Sequence, residues 1–342
     1  EHLDQDFGLD PAKVLEAAQQ YAATPTIQTL KNLTSVAEPP RQELLRRLNR
    51  APGGTALIVQ MRRQLLRVLS SHPQLAAVEA DFFHLLSSWF NPGFLEMQQV
   101  DWNSPAQLLE KIIQHEAVHA IDGWDDLRRR LQPDRRCFAF FHPQLPAEPL
   151  IFVEIALVPQ MPAAIAPLIE KAAQPVEPKH FKVATFYSIS NCQPGLRGVS
   201  LGNFLIKRVA ERLHAEFPSI RTFCTLSPIP GFVRWLDEVN VEAAELKPLR
   251  AKLQAALNKL SREKHTDPLA VSRNERDALL ALASIYLILV SPTATGDPVA
   301  KFHLGNGARL QRINWAGDLS KNGLRQSFGM IVNYLYYLSE IE

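Results

Sequence analysis

The chain has 342 residues, 46% hydrophobic and 21% charged, an ordinary globular mix with ample material for buried cores. Its 37 basic residues face 35 acidic ones, and the formal charge of +2 argues against a polybasic, nucleic-acid-binding protein. Three cysteines (Cys137, Cys192 and Cys224) with no C-x-x-C pair make no disulfide framework and fit a reducing compartment.

Typical domains run to roughly 100–200 residues, so the length predicts two. The first ninety residues read as all-helical. Pro11–Ala22 is rich in Ala and Gln and opens with proline, which a first helical turn tolerates. Pro40–Asn49 places Leu44, Leu45 and Leu48 on one face. Ala56–Ser70 carries a helical apolar stripe after the Gly53-Gly54 break. Pro73 opens another helical segment, and Asn91-Pro92-Gly93 stops it. Nothing in this part looks catalytic.

Beyond residue 91 the pattern changes. Cys137–Phe141, Leu150–Val158, Lys182–Ser190, Thr222–Leu226, Leu310–Trp315 and Met330–Tyr337 are rich in β-branched and aromatic residues and read as strands. Asn203–Phe217 is an amphipathic helix with Ile206, Val209, Leu213 and Phe217 inward. Residues 241–290 form a largely helical insertion. Its apolar run, Ala278–Val290, is shorter than the roughly 20 residues a bilayer-spanning helix needs, so no membrane association is expected. The start, Glu1-His2-Leu3-Asp4, lacks the basic and apolar regions of a signal peptide, although Glu1 in place of Met leaves room for a trimmed leader. The end is neither a peroxisomal address nor a prenylation box. A cytoplasmic protein is expected.

Three segments can carry chemistry. Residues 186–203 run from a strand through Gly195, Gly198 and Gly202 into a helix N-terminus, where backbone N–H groups and the helix dipole favour an anion. The segment is neither a Walker loop nor a Rossmann fingerprint. It is a diphosphate site, or a helix whose glycines serve only a tight connection. Leu226-Ser-Pro-Ile-Pro-Gly-Phe232 holds Ser227 on a loop stiffened by two prolines. It is either a positioned hydroxyl or a plain turn serine, and not a hydrolase elbow. In the third segment His303 lies just before the Gly305-Asn306-Gly307 turn signal, where an imidazole can titrate near neutrality. His115-Glu-Ala-Val-His119 also satisfies H-E-x-x-H, which on a helix would put both imidazoles on one face with Glu116 as base. The third zinc ligand of the longer metalloprotease motif does not follow, so no metal site is expected.

Together these segments resemble the malonyl-CoA decarboxylase family. The resemblance rests on Arg135–His142, Phe186–Ser190, Gly195–Gly202 with Phe204–Arg208, Leu226–Phe232, Phe302–Ala308 with Arg312–Trp315, and Val332–Tyr336. It implies an α+β protein with an N-terminal all-helical oligomerisation domain (residues 1–90). A GNAT (N-acetyltransferase)-like catalytic domain would follow (residues 91–342), with 241–290 as its helical insertion. It implies a homo-oligomer that takes malonyl-CoA to acetyl-CoA and CO2, with Ser227 and His303 as the catalytic pair. Arg197, Gly198, Val199, Ser200, Leu201, Gly202 and Asn203 would cradle the coenzyme A diphosphate, and Tyr336 would lie near the active site. The chemistry itself needs no cofactor, because the thioester is its own electron sink as an enolate. His303, with an ordinary pKa of about 6.5, would protonate the α-carbon with Ser227 as partner. An acyl-CoA N-acyltransferase on the same fold, a zinc hydrolase and a helical scaffold are the alternatives; turnover without an amine acceptor separates the first.

Overall fold

The computed structural model describes residues 2–199, 201, 205–260, 268–293 and 296–337. Its helices are α1 (His2–Gln5), α2 (Pro11–Ala23), α3 (Ile27–Val36), α4 (Pro40–Asn49), α5 (Gly54–Val68), α6 (Ala76–Trp89), α7 (Ala106–His115), α8 (Gly123–Arg130), α9 (Ala166–Ile169), α10 (Leu205–Glu216), α11 (Phe232–Glu238), α12 (Arg250–Leu257), α13 (Arg273–Ile285), α14 (Pro298–Gly305) and α15 (Lys321–Ser327). The strands are β1 (Glu96–Val100), β2 (Arg135–Phe141), β3 (Ile151–Val158), β4 (Val183–Asn191), β5 (Thr222–Thr225), β6 (Ser227–Pro228), β7 (Arg309–Asn314) and β8 (Ile331–Tyr336). The chain divides into two compact units. One comprises Glu1–Glu96, Phe140–Leu150 and Cys192–Leu201; the other comprises Met97–Ala139, Ile151–Asn191 and Gly202–Glu342.

The first unit is built on α1–α6. Local sequence starts its helices. Asp10 accepts from the N–H groups of Ala12 and Lys13 ahead of α2, and Thr26 and Thr29 form a reciprocal capping box at α3. Buried Leu45, Ile58, Phe82, Leu86 and Phe90 supply apolar core. Among them Arg62, 2% exposed, donates to Glu79 and to the carbonyl of Gly195 at 2.8 Å, with Phe83 beneath its guanidinium. Burying a charge this deeply is tolerable only because it is paired and hydrogen-bonded. Arg41 pairs likewise with Asp81.

The second unit holds an eight-stranded mixed sheet in the order β1-β2-β3-β4-β5-β8-β6, with β7 also paired to β8. The α+β class is the one expected. β3 and β4 are antiparallel. β4 and β5 are parallel, joined through α10, and their ladder runs from Val183/Thr222 to Phe186/Thr225. One more bond follows, from Leu226 N–H to Phe186 O at 2.9 Å. From there β4 continues against β3, whereas β6 follows β8. Alternation along the strands sends Tyr187, Cys224, Leu226 and Ile331 into a core that also holds Ile165 and Leu168. Thr225, Ser227, Tyr334 and Tyr336 therefore face the other way. The insertion forms α12 and α13 among its described residues. The apolar run ends in a π turn, Tyr286–Val290, as π bulges often do near functional sites.

β1 and the turn after His303 differ from the sequence reading. β1 (Glu-Met-Gln-Gln-Val) is a polar edge strand with one buried residue, so it has no apolar alternation to betray it. The Gly305-Asn306-Gly307 turn exists, but it terminates a helix. His303 sits inside the last turn of α14, and Gly307 takes a φ of +78° just beyond it.

Candidate active site

The site is assembled on the sheet face carrying Thr225 and Ser227. β5 and β6 are one strand bent at Leu226, and side chains fill the gap in the ladder at the bend. Thr225 Oγ1 accepts from the N–H of Tyr334 at 3.2 Å, and Asn333 Nδ2 donates to the Thr225 carbonyl at 2.8 Å. These bonds hold Ser227 opposite Val332 of β8. Asp297 caps α14, which brings His303 over the same face, and the imidazole stacks on Tyr334 with ring centres 4.8 Å apart.

Ser227 Oγ lies 3.0 Å from His303 Nε2, and His303 Nδ1 lies 2.8 Å from the Tyr336 hydroxyl. Ser227 donates to Thr225 Oγ1 at 2.9 Å. With that proton committed, Ser227 can accept from Nε2–H, which leaves Nδ1 to accept from Tyr336 O–H. Thus Tyr336, His303, Ser227 and Thr225 form one hydrogen-bonded chain with consistent donor directions. Ser227, His303 and Tyr336 are each 5% exposed or less.

Burial pushes the His303 pKa down to about 3, because desolvation disfavours the charged ring. The sequence reading has this imidazole titrating near neutrality beside a loop; its place on the buried side of α14 makes it neutral at physiological pH. Burial likewise raises the pKa of Tyr336 and keeps it a hydroxyl donor.

The glycine segment divides. Arg197 and Gly198 are exposed, and Gly198 adopts φ +86°, a conformation that favours glycine. Val199 and Leu201 are buried anchors. Gly195 plays a different part from the expected one. A Cβ there would fall 2.1 Å from the Val59 carbonyl oxygen, so this glycine admits the α5 backbone rather than a phosphate. Ser200, Gly202 and Asn203 lie outside the described residues.

The H-E-x-x-H segment does not form the zinc-binding helix. α7 ends at His115, and Glu116 turns back as a hub. It accepts from the N–H groups of Val118 and His119 and from the hydroxyls of Ser188 and Ser190. Among the described residues, no group of three or more His, Cys, Asp or Glu side chains could hold a metal ion. Nearby, Arg130 joins Asp126 to Glu154 and donates to the His119 carbonyl, and burial pushes Glu154 up to about 8.

Comparison with known proteins decides the family. A family model for the malonyl-CoA decarboxylase C-terminal domain matches residues 93–342, and one for the N-terminal domain matches residues 7–90. The chain belongs to the malonyl-CoA decarboxylase family. Mitochondrial malonyl-CoA decarboxylase from Anser anser anser is 35% identical over 372 residues, covering 99% of this chain and 73% of that protein. The mouse (Mus musculus) protein is 35% identical over 376 residues, covering 99% and 75%. The crystal structure of malonyl-CoA decarboxylase from Rhodopseudomonas palustris superposes with a TM-score of 0.89 at 49% identity, covering 99% of this chain and 83% of that one. That from Agrobacterium vitis gives 0.81 at 45% identity, with the same coverage. The family is one of carboxy-lyases. Among the described residues no helix is long and apolar enough to cross a membrane.

Sequence reasoning named Ser227, His303 and Tyr336, and the fold brings these three together. It missed Thr225, Asn333 and Asp297, which are bound to the site through contacts 66 to 109 residues apart in the chain. No local motif announces such pairs.

Proposed function

We propose that this chain decarboxylates malonyl-CoA to acetyl-CoA and CO2, with Ser227 and His303 acting on the malonyl group. The observation that carries the assignment of residues is the buried 3.0 Å contact between Ser227 and His303 Nε2, backed by Tyr336. Loss of CO2 moves the C–C bonding pair into a thioester enolate, so the substrate stores its own electrons and needs no cofactor. When the substrate binds, the Ser227 O–H turns from Thr225 Oγ1 to a malonyl oxygen and aligns the acyl group, which counts for most when the bound geometry is already near that of reaction. His303 enters neutral and offers its Nε2 proton. The enolate carbon is a stronger base than imidazolate and takes that proton, while the Tyr336 O–H donated to Nδ1 stabilises the imidazolate that forms. Water re-protonates the ring as product leaves.

Arg197–Asn203 cradles the coenzyme A diphosphate in this proposal, a reading supported by the exposed Arg197 and by the positive φ of Gly198. Residues 1–90 are proposed as the oligomerisation domain and 91–342 as the catalytic domain of a cytoplasmic homo-oligomer. Light scattering of the full chain and of a variant altered on the exposed Leu15 and Ile27 tests that part.

The test is direct. Purified protein, malonyl-CoA and chelator, without an amine acceptor, should release acetyl-CoA. Ser227→Ala and His303→Ala should each lower kcat by about 10²–10³-fold, the range for losing a positioned donor or acid–base group. Intact malonyl-CoA in the presence of folded protein would overturn the assignment.

A further inference from the structure

Asp297 has no place in the chemistry above, yet it is fully buried, and its carboxylate binds the backbone of both segments that carry the catalytic pair. Oδ1 accepts from Val299 N–H and Ala300 N–H, both at 3.0 Å, and so caps the helix that carries His303. Oδ2 accepts from the N–H of Gly231 at 3.1 Å, in the loop that carries Ser227. The two residues lie 66 positions apart in sequence.

The connection from Gly231 back to Ser227 is stiff. Between them stand Pro228, Ile229 and Pro230, two with φ fixed by their rings and the third fully buried. Gly231 itself is boxed in: a Cβ there would lie 2.2 Å from the Tyr286 hydroxyl and 3.5 Å from Asp297 Oδ2. On the other side His303 is six positions along from Asp297, about 9 Å up the helix at 1.5 Å per residue. A slip between loop and helix is therefore passed on to the Ser227–His303 contact.

Helix capping alone does not call for aspartate. Asn or Ser would cap α14 about as well. What only a carboxylate offers here is a second acceptor oxygen, directed at the loop. We propose that Asp297 is a positioning residue that clasps the 226–232 loop to α14 and thereby sets Ser227 against His303. The proposal rests on the Ser227–His303 reading above.

The discriminating variant is Asp297→Asn. Its Oδ1 keeps the cap, but its Nδ2 then meets the Gly231 N–H donor to donor, and the clasp is lost. Asp297→Ser, whose hydroxyl caps without reaching the loop, is the second variant. Both should lower kcat about 10–100-fold, as misplacement by an ångström can. The dissociation constant for acetyl-CoA should stay within about twofold, because the handle is bound elsewhere. In a His303→Ala background the same substitutions should cost no more than about twofold, since groups acting as one unit are not additive. An equal loss in both backgrounds, wild-type kcat in both variants, or failure of both to fold would overturn the role. If His303→Ala alone retains wild-type kcat, the catalytic pair itself is wrong and Asp297 falls with it.

Discussion

Thr225→Val isolates one hydroxyl with almost no change of shape. Thr225 is fully buried and its Oγ1 accepts twice, from Ser227 Oγ at 2.9 Å and from Tyr334 N–H at 3.2 Å. Valine leaves both donors without that acceptor. Ser227 has a second option, since its O–H can turn to His303 Nε2 if the imidazole moves its proton to Nδ1. The Tyr334 amide has none, and Tyr334 is 0% exposed, away from bulk water. The stability loss is therefore that of one orphaned buried donor, about 1–3 kcal/mol. That corresponds to about 2–12 °C in melting temperature, at about 2–4 °C per kcal/mol for a domain of this size. Activity suffers differently. Reversing the Ser227–His303 bond strips Nε2 of the proton destined for the α-carbon. We expect kcat to fall about 10–100-fold, or about 1.4–2.7 kcal/mol at the barrier. Thr225→Ser keeps the hydroxyl and should retain most of both. Coupled acetyl-CoA assays and thermal melts of the two variants are sufficient. A Thr225→Val protein with wild-type kcat and an unchanged melting temperature would refute the hydrogen-bond directions assigned to the site.

Other outcomes follow from the same geometry. His303 has its folded pKa depressed to about 3, below an unfolded value of about 6.5, so its contribution to stability is full above pH 6.5 and shrinks as pH falls toward 3. Urea unfolding of wild type against His303→Gln should show the wild type losing its advantage over that window, by up to about 1.4 kcal/mol per pH unit. The kcat/KM profile should show no inflection from His303 near pH 6.5; a clean inflection there that vanishes in a Tyr336→Phe variant would contradict a neutral resting imidazole. Arg130→Met removes the partner of buried Asp126 and Glu154 and should lower stability by about 3–5 kcal/mol, read as a lower urea midpoint. Gly195→Ala should cost about 1–3 kcal/mol through its collision with the Val59 carbonyl, with the KM for malonyl-CoA unchanged in the folded fraction. Arg197→Ala, by contrast, should raise KM with little effect on kcat.

The helices of the first unit and the buried strands were legible because period and punctuation are local. α4 runs over the Pro40–Asn49 span read from its leucines, and β3 is buried at every residue of an apolar run broken only by Glu154. α3 escaped because Thr, Gln and Asn dilute its stripe, and its capping box pairs two threonines rather than Ser or Thr with Glu. In the site, motif resemblance reached Ser227 and His303, but not their environment. The ordinary pKa assigned to His303 assumed a loop. The Asn-Gly turn signal was real, yet it marked the end of a helix that buries His303, which no neighbouring residue reveals. Thr225, Asn333 and Asp297 are common polar residues in sequence and gain meaning only when β5, β8 and α14 converge.

The parting of β4 and β5 has one consequence for the energetics of turnover. Beyond Leu226 the chain presents Pro228 and Pro230, whose ring nitrogens carry no hydrogen to lend to a neighbouring strand. The parallel ladder cannot zip further, whatever the crowding or temperature. The fork is thus enforced by covalent bonds rather than held apart by an occupant. A substrate arriving at Ser227 has no β pairing to tear open, and none reseals behind the departing product.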